Sequence, residues 1–459
     1  MKKNGIRTAG NSGTRGPGDS SKHMKILKFG GTSVGSAERM LALVKLIEGG
    51  GPKIVVLSAM SGTTNALVEI AEALYAKEKD RAAGLAAALE KKYAAVAAEL
   101  YAGKKAGEKA GRLLASRFGQ LRTLAAGKFT GKKEREVLAL GELLSTALFH
   151  YLLEEKGVDS VLLPALEFMR IDKNEEPDMG YIEAKAGSEL AKHPGKSLFI
   201  TQGYICRNAA GETDNLKRGG SDYTATILGA AIRAEEIQIW TDIDGMHNND
   251  PRVVEGTRPI AELSFDEAAE LAYFGAKILH PTCILPAQLR NIPVRLLNTM
   301  KPEARGTLIT GKSAGDQIKA VAAKDGITAI KIKSGRMLLA YGFLRAVFEI
   351  FERYKTPIDM ITTSEVAVSL TIDNRANLDA IVAELKGFCR VEVDGGLTII
   401  CVVGSFTAEK EGYALRIFEA LKAIPIRMIS YGGSENNVSV LVETGLKRKA
   451  LLALHKGLF

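Results

Sequence analysis

The chain has 459 residues, 46% hydrophobic and 25% charged, values that are ordinary for a globular protein of two or three domains. No apolar run reaches the roughly 20 residues of a membrane span, so we expect no membrane partner. Of the net charge of +9, residues 1–23 carry five Lys or Arg against one Asp, and the remainder has no basic stripe interleaved with aromatics. We therefore expect no nucleic-acid partner.

Residues 1–23 are rich in Gly and Ser and have no apolar pattern, which predicts a disordered expression leader before a natural start at Met24. The four cysteines (Cys206, Cys283, Cys389 and Cys401) are far apart and lack metal-ligand spacing. We expect them to be reduced thiols in a cytoplasmic protein.

Strand-like and helix-like segments alternate along residues 24–312. KILKFG predicts a strand, a helix is predicted from about Ser36 to Glu48, KIVVLSAM predicts a second strand, and an Ala/Leu/Lys/Glu-rich region from about 65 to 156 is predicted to be helical. Further strands are predicted at VDSVLLPA, KSLFITQGYI, EIQIWTDI and IPVRLLNT, with helices near SDYTATILGAAI and FDEAAELAYFGAKIL. This order favours an α/β fold, with a mainly parallel sheet and helices on both faces.

In such a sheet the ligand binds at the carboxyl ends of the strands. Lys28, Ser58, Gly203 and Asp242 each stand at or just past a predicted strand end. We expect these four residues to surround one crevice.

The polar stretch GKSAGD (311–316) predicts a linker, and an internal repeat follows it. PIDMI (357–361) recurs as PIRMI (425–429), each preceded by a helix that contains VFE or IFE and followed by VAVSL or VSVLV. The repeat predicts two copies of a small α+β unit within residues 317–459. The alternative is a chance similarity between two helix-to-strand connections.

KFGGTSVGS (28–36) places a lysine and a glycine pair at the opening of the first helix. Glycines let backbone N–H groups approach a ligand closely, and a helix N-terminus favours an anion such as phosphate. The spacing is neither that of a P-loop nor that of a dinucleotide fingerprint. A glycine-rich turn with a solvated lysine is the alternative.

RGGSDYTA (218–225) supplies a second glycine pair, with Arg218 before it and Ser221 and Asp222 at a helix opening. The planar guanidinium of Arg suits a carboxylate, whereas Asp222 could simply cap the helix. Together the two loops indicate a site for several negative charges, as a nucleoside triphosphate and an acidic acceptor carry.

These segments, together with LSAMSGTTN, GELLST, FMR, ITQGYI, WTDIDGMHNNDPRVV and FGAKILHP, resemble aspartate kinase of the amino-acid kinase superfamily, and the resemblance runs from Met24 to the C-terminus. It implies transfer of the ATP γ-phosphoryl group to the β-carboxylate of L-aspartate, the first step of lysine, threonine and methionine biosynthesis. It also implies tandem ACT domains after the kinase domain. The lysine-sensitive, monofunctional branch is the most similar.

The resemblance also implies residue roles. Those expected to contact ATP are Lys28, Gly30, Gly31, Thr241, Asp242, His247, Arg252 and Lys277, and those expected to hold aspartate are Ser58, Thr64, Glu142, Arg218, Gly219, Gly220 and Ser221. Glu142 would pair with the α-ammonium group, Arg218 with a carboxylate, and Asp222 would organise phosphoryl transfer. His247 departs from the family's Tyr.

The β-carboxylate of aspartate is ionised at neutral pH, so catalysis needs alignment and charge neutralisation rather than a general base. We expect Mg²⁺ to enter with ATP and not to be held by protein side chains alone. The absence of a His or Cys constellation agrees with a mechanism that needs no general base.

The first repeat carries acids that the second lacks, because Arg427 stands where the first repeat has Asp359. Lysine is therefore expected in the first copy, since an arginine repels its ammonium groups. By resemblance its pocket would use Met337, Ala340, Gly342, Phe343, Leu344, Ile358, Asp359, Ser364 and Glu365, with Ala340 replacing a serine. In the alternative, Asp359 and Glu365 are solvated loop acids.

A homodimer joined through the ACT domains is also expected, with a tetramer as the larger alternative. Two other functions stay open: a different amino-acid kinase, acting for example on acetylglutamate or a nucleoside monophosphate, and a catalytically silent amino-acid sensor.

Overall fold

The computed structural model describes residues 24–217, 219–275, 279–312, 317–333, 341–406 and 411–459. The chain divides into two compact units, the first ending at Gln238 and the second beginning at Ile239. The predicted leader (1–23), Arg218, Lys277, Met337 and Ala340 lie outside the described residues.

The first unit is a parallel sheet with helices. Its elements in chain order are β1 (Lys25–Phe29), α1 (Ala37–Ile47), β2 (Lys53–Leu57), α2 (Thr63–Tyr75), α3 (Lys79–Leu100), α4 (Lys104–Ala125), α5 (Gly131–Glu155), β3 (Val161–Leu163), α6 (Met179–Ala191), β4 (Leu198–Gln202), β5 (Ile205–Arg207), β6 (Thr213–Asn215), α7 (Gly220–Ile232) and β7 (Glu236–Thr241), which crosses the boundary. The strand order is β3-β4-β2-β1-β7, and the pairs β3/β4, β4/β2 and β2/β1 are parallel.

Local sequence signals account for where these elements begin and break. Ser36 caps α1 by accepting a hydrogen bond from the Arg39 amide, so the predicted start of this helix is confirmed. The predicted helical region from 65 to 156 consists of four helices, α2 to α5. The first break falls at Lys77, whose φ of 62° is incompatible with a continuing helix.

Helix α5 is the core helix of the first unit. By length and composition it could cross a membrane, but 72% of its apolar window is buried inside the protein. Its buried residues include Leu144, Leu148 and Leu152 together with the polar Glu142 and Thr146. α5 therefore carries a carboxylate into the interior of the unit.

The second unit begins with a small α/β segment and continues into an antiparallel sheet. Its further elements are β8 (Glu262–Ser264), α8 (Phe265–Phe274), α9 (Pro281–Leu289), β9 (Val294–Asn298), β10 (Thr307–Thr310), β11 (Ile318–Lys333), α10 (Phe343–Arg353), β12 (Ile361–Thr363), β13 (Ala367–Ile372), α11 (Leu378–Lys386), β14 (Arg390–Gly404), α12 (Tyr413–Ala420), β15 (Met428–Ser430), β16 (Asn437–Glu443) and α13 (Lys447–Leu458). Strands β7-β9-β10-β8 are neighbours in that order, and β12-β13-β11-β14-β16-β15 form the antiparallel sheet.

The internal repeat corresponds to two matching halves of this antiparallel sheet. PIDMI leads into β12 and PIRMI into β15, and the next strand pairs antiparallel with each. Asp359 and Arg427 make the same backbone contact, each donating its amide to the strand that follows, at Thr371 and Leu441. Each half has its own apolar core cluster, and the predicted fold class is confirmed.

Candidate active site

Three predicted residues stand at one edge of the parallel sheet because their strands are neighbours in register. The Ser58 amide donates to the Phe29 carbonyl at the end of β1 (3.2 Å), and the Gly203 amide donates to the Leu57 carbonyl at the end of β2 (2.9 Å). Lys28 is the penultimate residue of β1. The expected convergence of Lys28, Ser58 and Gly203 on the carboxyl edge is therefore observed, whereas Asp242 belongs to the second unit.

At two positions near this edge, neighbouring segments approach each other so closely that glycine is required. A Cβ on Gly31 would lie 2.8 Å from the Ala59 carbonyl oxygen, and a Cβ on Gly203 would lie 2.4 Å from the Ser221 Cβ. Such distances are below van der Waals contact, so only glycine fits. The loop after β1 thus contacts the loop after β2, and the loop after β4 contacts the start of α7.

Lys28 and Asp222 form an ion pair in which Nζ and Oδ1 are 2.6 Å apart, and both side chains are largely buried. Asp222 stands in the first turn of α7, after Gly219, which adopts the left-handed conformation (φ 75°). The structure therefore brings the two glycine-rich motifs together through oppositely charged side chains.

Glu142 is a buried acid, and only one of its two carboxyl oxygens has a hydrogen-bond partner among the described residues. The residue is 3% exposed, and its Oε1 accepts a hydrogen bond from the Ala59 amide (3.2 Å). Its Oε2 is buried and has no partner among the described residues. Burial raises the pKa of Glu142 to about 8, against the opposing effect of the Ala59 hydrogen bond, so at neutral pH most of the ligand-free protein holds this carboxyl protonated.

Polar side chains of α5 fix the surroundings of Glu142. Ser145 donates its hydroxyl to the Ser58 carbonyl (2.8 Å), and Thr146 donates to the Glu142 carbonyl (2.6 Å). Gln202, the last residue of β4, donates to the Thr146 hydroxyl (2.9 Å). The helix is thereby tied to the carboxyl ends of β2 and β4.

A cavity of about 410 Å³ lies at this edge within the first unit. The predicted residues that line it are Gly31, Ser58, Thr64, Glu142, Gly220 and Ser221. It is also lined by residues that the sequence did not single out as ligands: Ala59, Met60, Ser61, Gly62, Asn65, Tyr204 and Lys217. Tyr204 belongs to ITQGYI, one of the segments that carry the family resemblance, and Lys217 directly precedes Arg218.

Gly30 directly follows β1 in the first unit, and the remaining predicted nucleotide residues that the structure describes belong to the second unit. His247 is held by Asp244 (Nε2 to Oδ1, 2.8 Å) and by the Thr257 hydroxyl (3.0 Å). Arg252 is exposed, and its guanidinium makes a two-point contact with Asp250. The Thr241 hydroxyl donates to the Asp242 carboxylate (3.2 Å). Their roles stay predictions.

The predicted effector residues that are described lie in the first repeat. Gly342 precedes α10 with a φ of 85°, Phe343 and Leu344 begin that helix, and Ser364 and Glu365 are exposed in the turn between β12 and β13. Asp359 has a side chain only 1% exposed, so it is not the solvated loop acid of the alternative interpretation. Ile358 beside it is half-buried.

Across the described ranges, no three His, Cys, Asp or Glu side chains form a group that could hold a metal ion. The four cysteines are free thiols.

The comparisons with known proteins agree with this architecture. The profile of the "Amino acid kinase family" matches residues 23–298, and an ACT domain profile matches residues 400–458. The lysine-sensitive aspartokinase 3 of Escherichia coli is 35% identical over 447 residues, covering 95% of this chain and 99% of that protein.

Two solved structures of the E. coli aspartokinase III are similar over 95% of this chain, both at 35% identity. One, in complex with aspartate and ADP, is covered completely and has a TM-score of 0.83. The other, in complex with lysine and aspartate, is 99% covered and has a TM-score of 0.78.

A parallel sheet with glycine-rich loops and a lysine–aspartate pair at its carboxyl edge, followed by an ACT region, is the architecture of a small-molecule kinase with a regulatory tail. The chain belongs to the amino acid kinase family and, within it, to the aspartokinases.

Proposed function

We propose that this chain transfers the γ-phosphoryl group of ATP to the β-carboxylate of L-aspartate, forming the acyl phosphate 4-phospho-L-aspartate. The observation that carries the proposal is the cavity of the first unit, where the half-paired carboxyl of Glu142 faces the same space as Ser58 and Ser221. That space suits a small amino acid with an ammonium group at one end and anionic groups at the other.

Glu142 receives the α-ammonium group of aspartate. Its Oε2 is buried and has no partner among the described residues, so an arriving ammonium group supplies a hydrogen-bond donor and, as the carboxyl gives up its proton, the opposite charge. The hydroxyls of Ser58, Thr64 and Ser221 and the backbone of Gly219 and Gly220 orient the rest of the substrate. Arg218 pairs with a carboxylate, a role that rests on the family resemblance alone.

Lys28 and the amides of Gly30 and Gly31 bind the phosphates. In the ligand-free protein the Lys28 ammonium is held by Asp222, so it is positioned before the nucleotide arrives. Because the attacking carboxylate is already ionised, no proton has to be removed from it. Catalysis then rests on aligning the two substrates and on neutralising charge at the transferred group.

Mg²⁺ bound with ATP would supply neutralisation of charge on the phosphate oxygens. Asp222 is the carboxylate of this site that organises the transfer centre. The predicted contacts of Thr241, Asp242, His247, Arg252 and Lys277 with the nucleotide complete the proposal.

Lysine is the proposed inhibitor, bound in the first repeat. The buried carboxylate of Asp359 supports this choice, as does the second repeat, where Arg427 occupies the equivalent position and pairs with Asp394. The solved complex of the E. coli enzyme with lysine is a precedent from a relative. Inhibition requires two states of the protein that lysine binds unequally.

We further propose a cytoplasmic homodimer joined through the ACT region, with a tetramer as the larger possibility. Apolar side chains exposed on that region support an interface there, among them Leu344 and Phe348 of α10, Leu415 of α12 and Ile429 of β15.

The test is a hydroxylamine-trapping assay of the purified chain with ATP, Mg²⁺ and aspartate, with and without lysine. Aspartyl hydroxamate that requires both substrates supports the proposal. Acetylglutamate and a nucleoside monophosphate, offered as alternative acceptors, should give no ATP-dependent product. Nucleotide binding without turnover on any acceptor would instead indicate a silent sensor.

A further inference from the structure

Asp359, the predicted effector carboxylate, has one oxygen held by the protein and one that is not. Oδ1 accepts hydrogen bonds from Lys324 Nζ of β11 and from the Tyr273 hydroxyl near the end of α8, each at 2.7 Å. Oδ2 is buried and has no hydrogen-bond partner among the described residues. A further donor can therefore pair with Asp359 without breaking either existing contact.

The charges around Asp359 do not balance. Lys324 also pairs with Asp373 at 2.9 Å, so two carboxylates share one ammonium group. Burial opposes the charge of Lys324, but its hydrogen bonds to both acids outweigh burial and raise its pKa. The three side chains together carry one uncompensated negative charge, which favours a cationic ligand.

The same carboxylate is connected to α8. The Lys324 ammonium lies 4.1 Å from the centre of the Tyr273 ring. Gly275, directly after α8, approaches β11 so closely that a Cβ there would lie 2.4 Å from the Ala323 carbonyl oxygen. Tyr273 precedes Lys277, a predicted nucleotide contact, by four residues. The end of α8 and the effector carboxylate are thus held in one hydrogen-bonded group.

Given the proposed regulation by lysine, on which this step rests, we propose that Lys324 competes with the effector's ammonium group for the Asp359 carboxylate. We also propose that Tyr273 links occupancy of this carboxylate to α8. An effector carrying a primary ammonium group binds at Oδ2 and shares Asp359 with Lys324. Because two ammonium groups at one carboxylate repel each other, Lys324 sets the affinity for the effector below what Asp359 alone would give.

Two substitutions of opposite sign test the competition, with lysine as the probe in thermal-shift and inhibition titrations of the full chain. Lys324→Met removes the competing charge and should tighten lysine binding by about tenfold or more. Asp373→Asn leaves Lys324 to Asp359 alone and should weaken lysine binding by about threefold or more. Lys333→Met is the control, since this residue stands on the same strand but pairs with exposed Glu392.

The outcomes separate this inference from the proposed function. Tighter lysine binding in Lys324→Met together with weaker binding in Asp373→Asn supports the inference. A lysine response that Lys324→Met gains when the unmodified chain has none also supports it, but this result would refute lysine regulation of the natural chain. Equal or weaker lysine binding in Lys324→Met overturns the inference while leaving lysine regulation intact. No response in either chain overturns both. If Lys324→Met does not fold, Asp373→Asn decides.

Tyr273→Phe tests the link, because it removes the hydroxyl but keeps the ring beside Lys324. We expect lysine to bind with an affinity within about threefold of the unmodified chain, while residual activity at saturating lysine rises severalfold. Unchanged inhibition at saturation would show that the hydroxyl does not carry the coupling.

Discussion

Replacing Glu142 by Gln removes one charge from the proposed aspartate site and preserves the size of the side chain. In the unmodified chain the buried carboxylate would pair with the α-ammonium group of aspartate through Oε2. Losing one partner of a buried charged pair costs about 3 kcal/mol, or roughly a hundredfold in affinity. This full effect is expected only where Glu142 is already ionised.

The pKa of about 8 makes the effect depend on pH. At pH 7 only about a tenth of the ligand-free protein has an ionised Glu142, so the unmodified chain loses about tenfold in aspartate affinity. We therefore expect Glu142→Gln to weaken aspartate binding by about tenfold at pH 7 and by close to a hundredfold at pH 8.5.

Titration calorimetry in buffers of different ionisation enthalpy measures this directly. Aspartate binding at pH 7 should release close to one proton in the unmodified chain and none in Glu142→Gln, because the carboxyl must ionise to pair with the ammonium group. A mutant-to-wild-type ratio that does not change with pH, or equal proton release in both chains, would refute the reasoning.

The remaining predictions concern the stability of the chain and the proposed phosphate-binding and aspartate-binding residues. Folded Glu142 keeps its proton above the ordinary pKa of 4.5. The unfolding free energy of the ligand-free chain should therefore fall as pH rises from 4.5 to about 8. Denaturant titrations of Glu142→Gln should lack this contribution to the pH dependence. Lys28→Ala should lower turnover in the hydroxamate assay by about a thousandfold, and because it leaves the largely buried Asp222 without its partner, it should also lower the melting temperature; near-normal turnover at a temperature where the variant is folded would exclude the phosphate role. Gly203→Ala should destabilise the chain by about 1–3 kcal/mol and weaken aspartate binding because its Cβ displaces Ser221. Gly84→Ala, with open space at its Cβ, should stabilise α3 by about 0.5–1 kcal/mol in the same denaturant series.

Sequence patterns predicted the elements that have local causes. Ser36 marks the start of α1 because a serine side chain can satisfy an unpaired amide of the first turn. The apolar runs of β1, β2 and β4 predicted a parallel sheet because both of its faces are buried. By contrast, the short hairpin of β5 and β6 has only three residues per strand, too few for a period to be recognised.

The sequence predicted which residues form the site where they belong to recognisable motifs, but it did not predict the contacts between them. Glu142 could be named from GELLST, but its half-paired state depends on the Ala59 amide, 83 residues earlier. Lys324, Tyr273 and Asp359 meet because α8 packs against β11, and no short pattern in the sequence brings these three residues together. Contacts of this kind follow from tertiary packing and not from local propensity.

The proposed role of Glu142 is tested most directly by a crystal structure of the chain with bound aspartate. The account predicts the α-ammonium nitrogen within about 3.2 Å of Glu142 Oε2, inside the cavity lined by Ser58 and Ser221. Aspartate bound elsewhere, or bound there with its ammonium group directed away from Glu142, would contradict it.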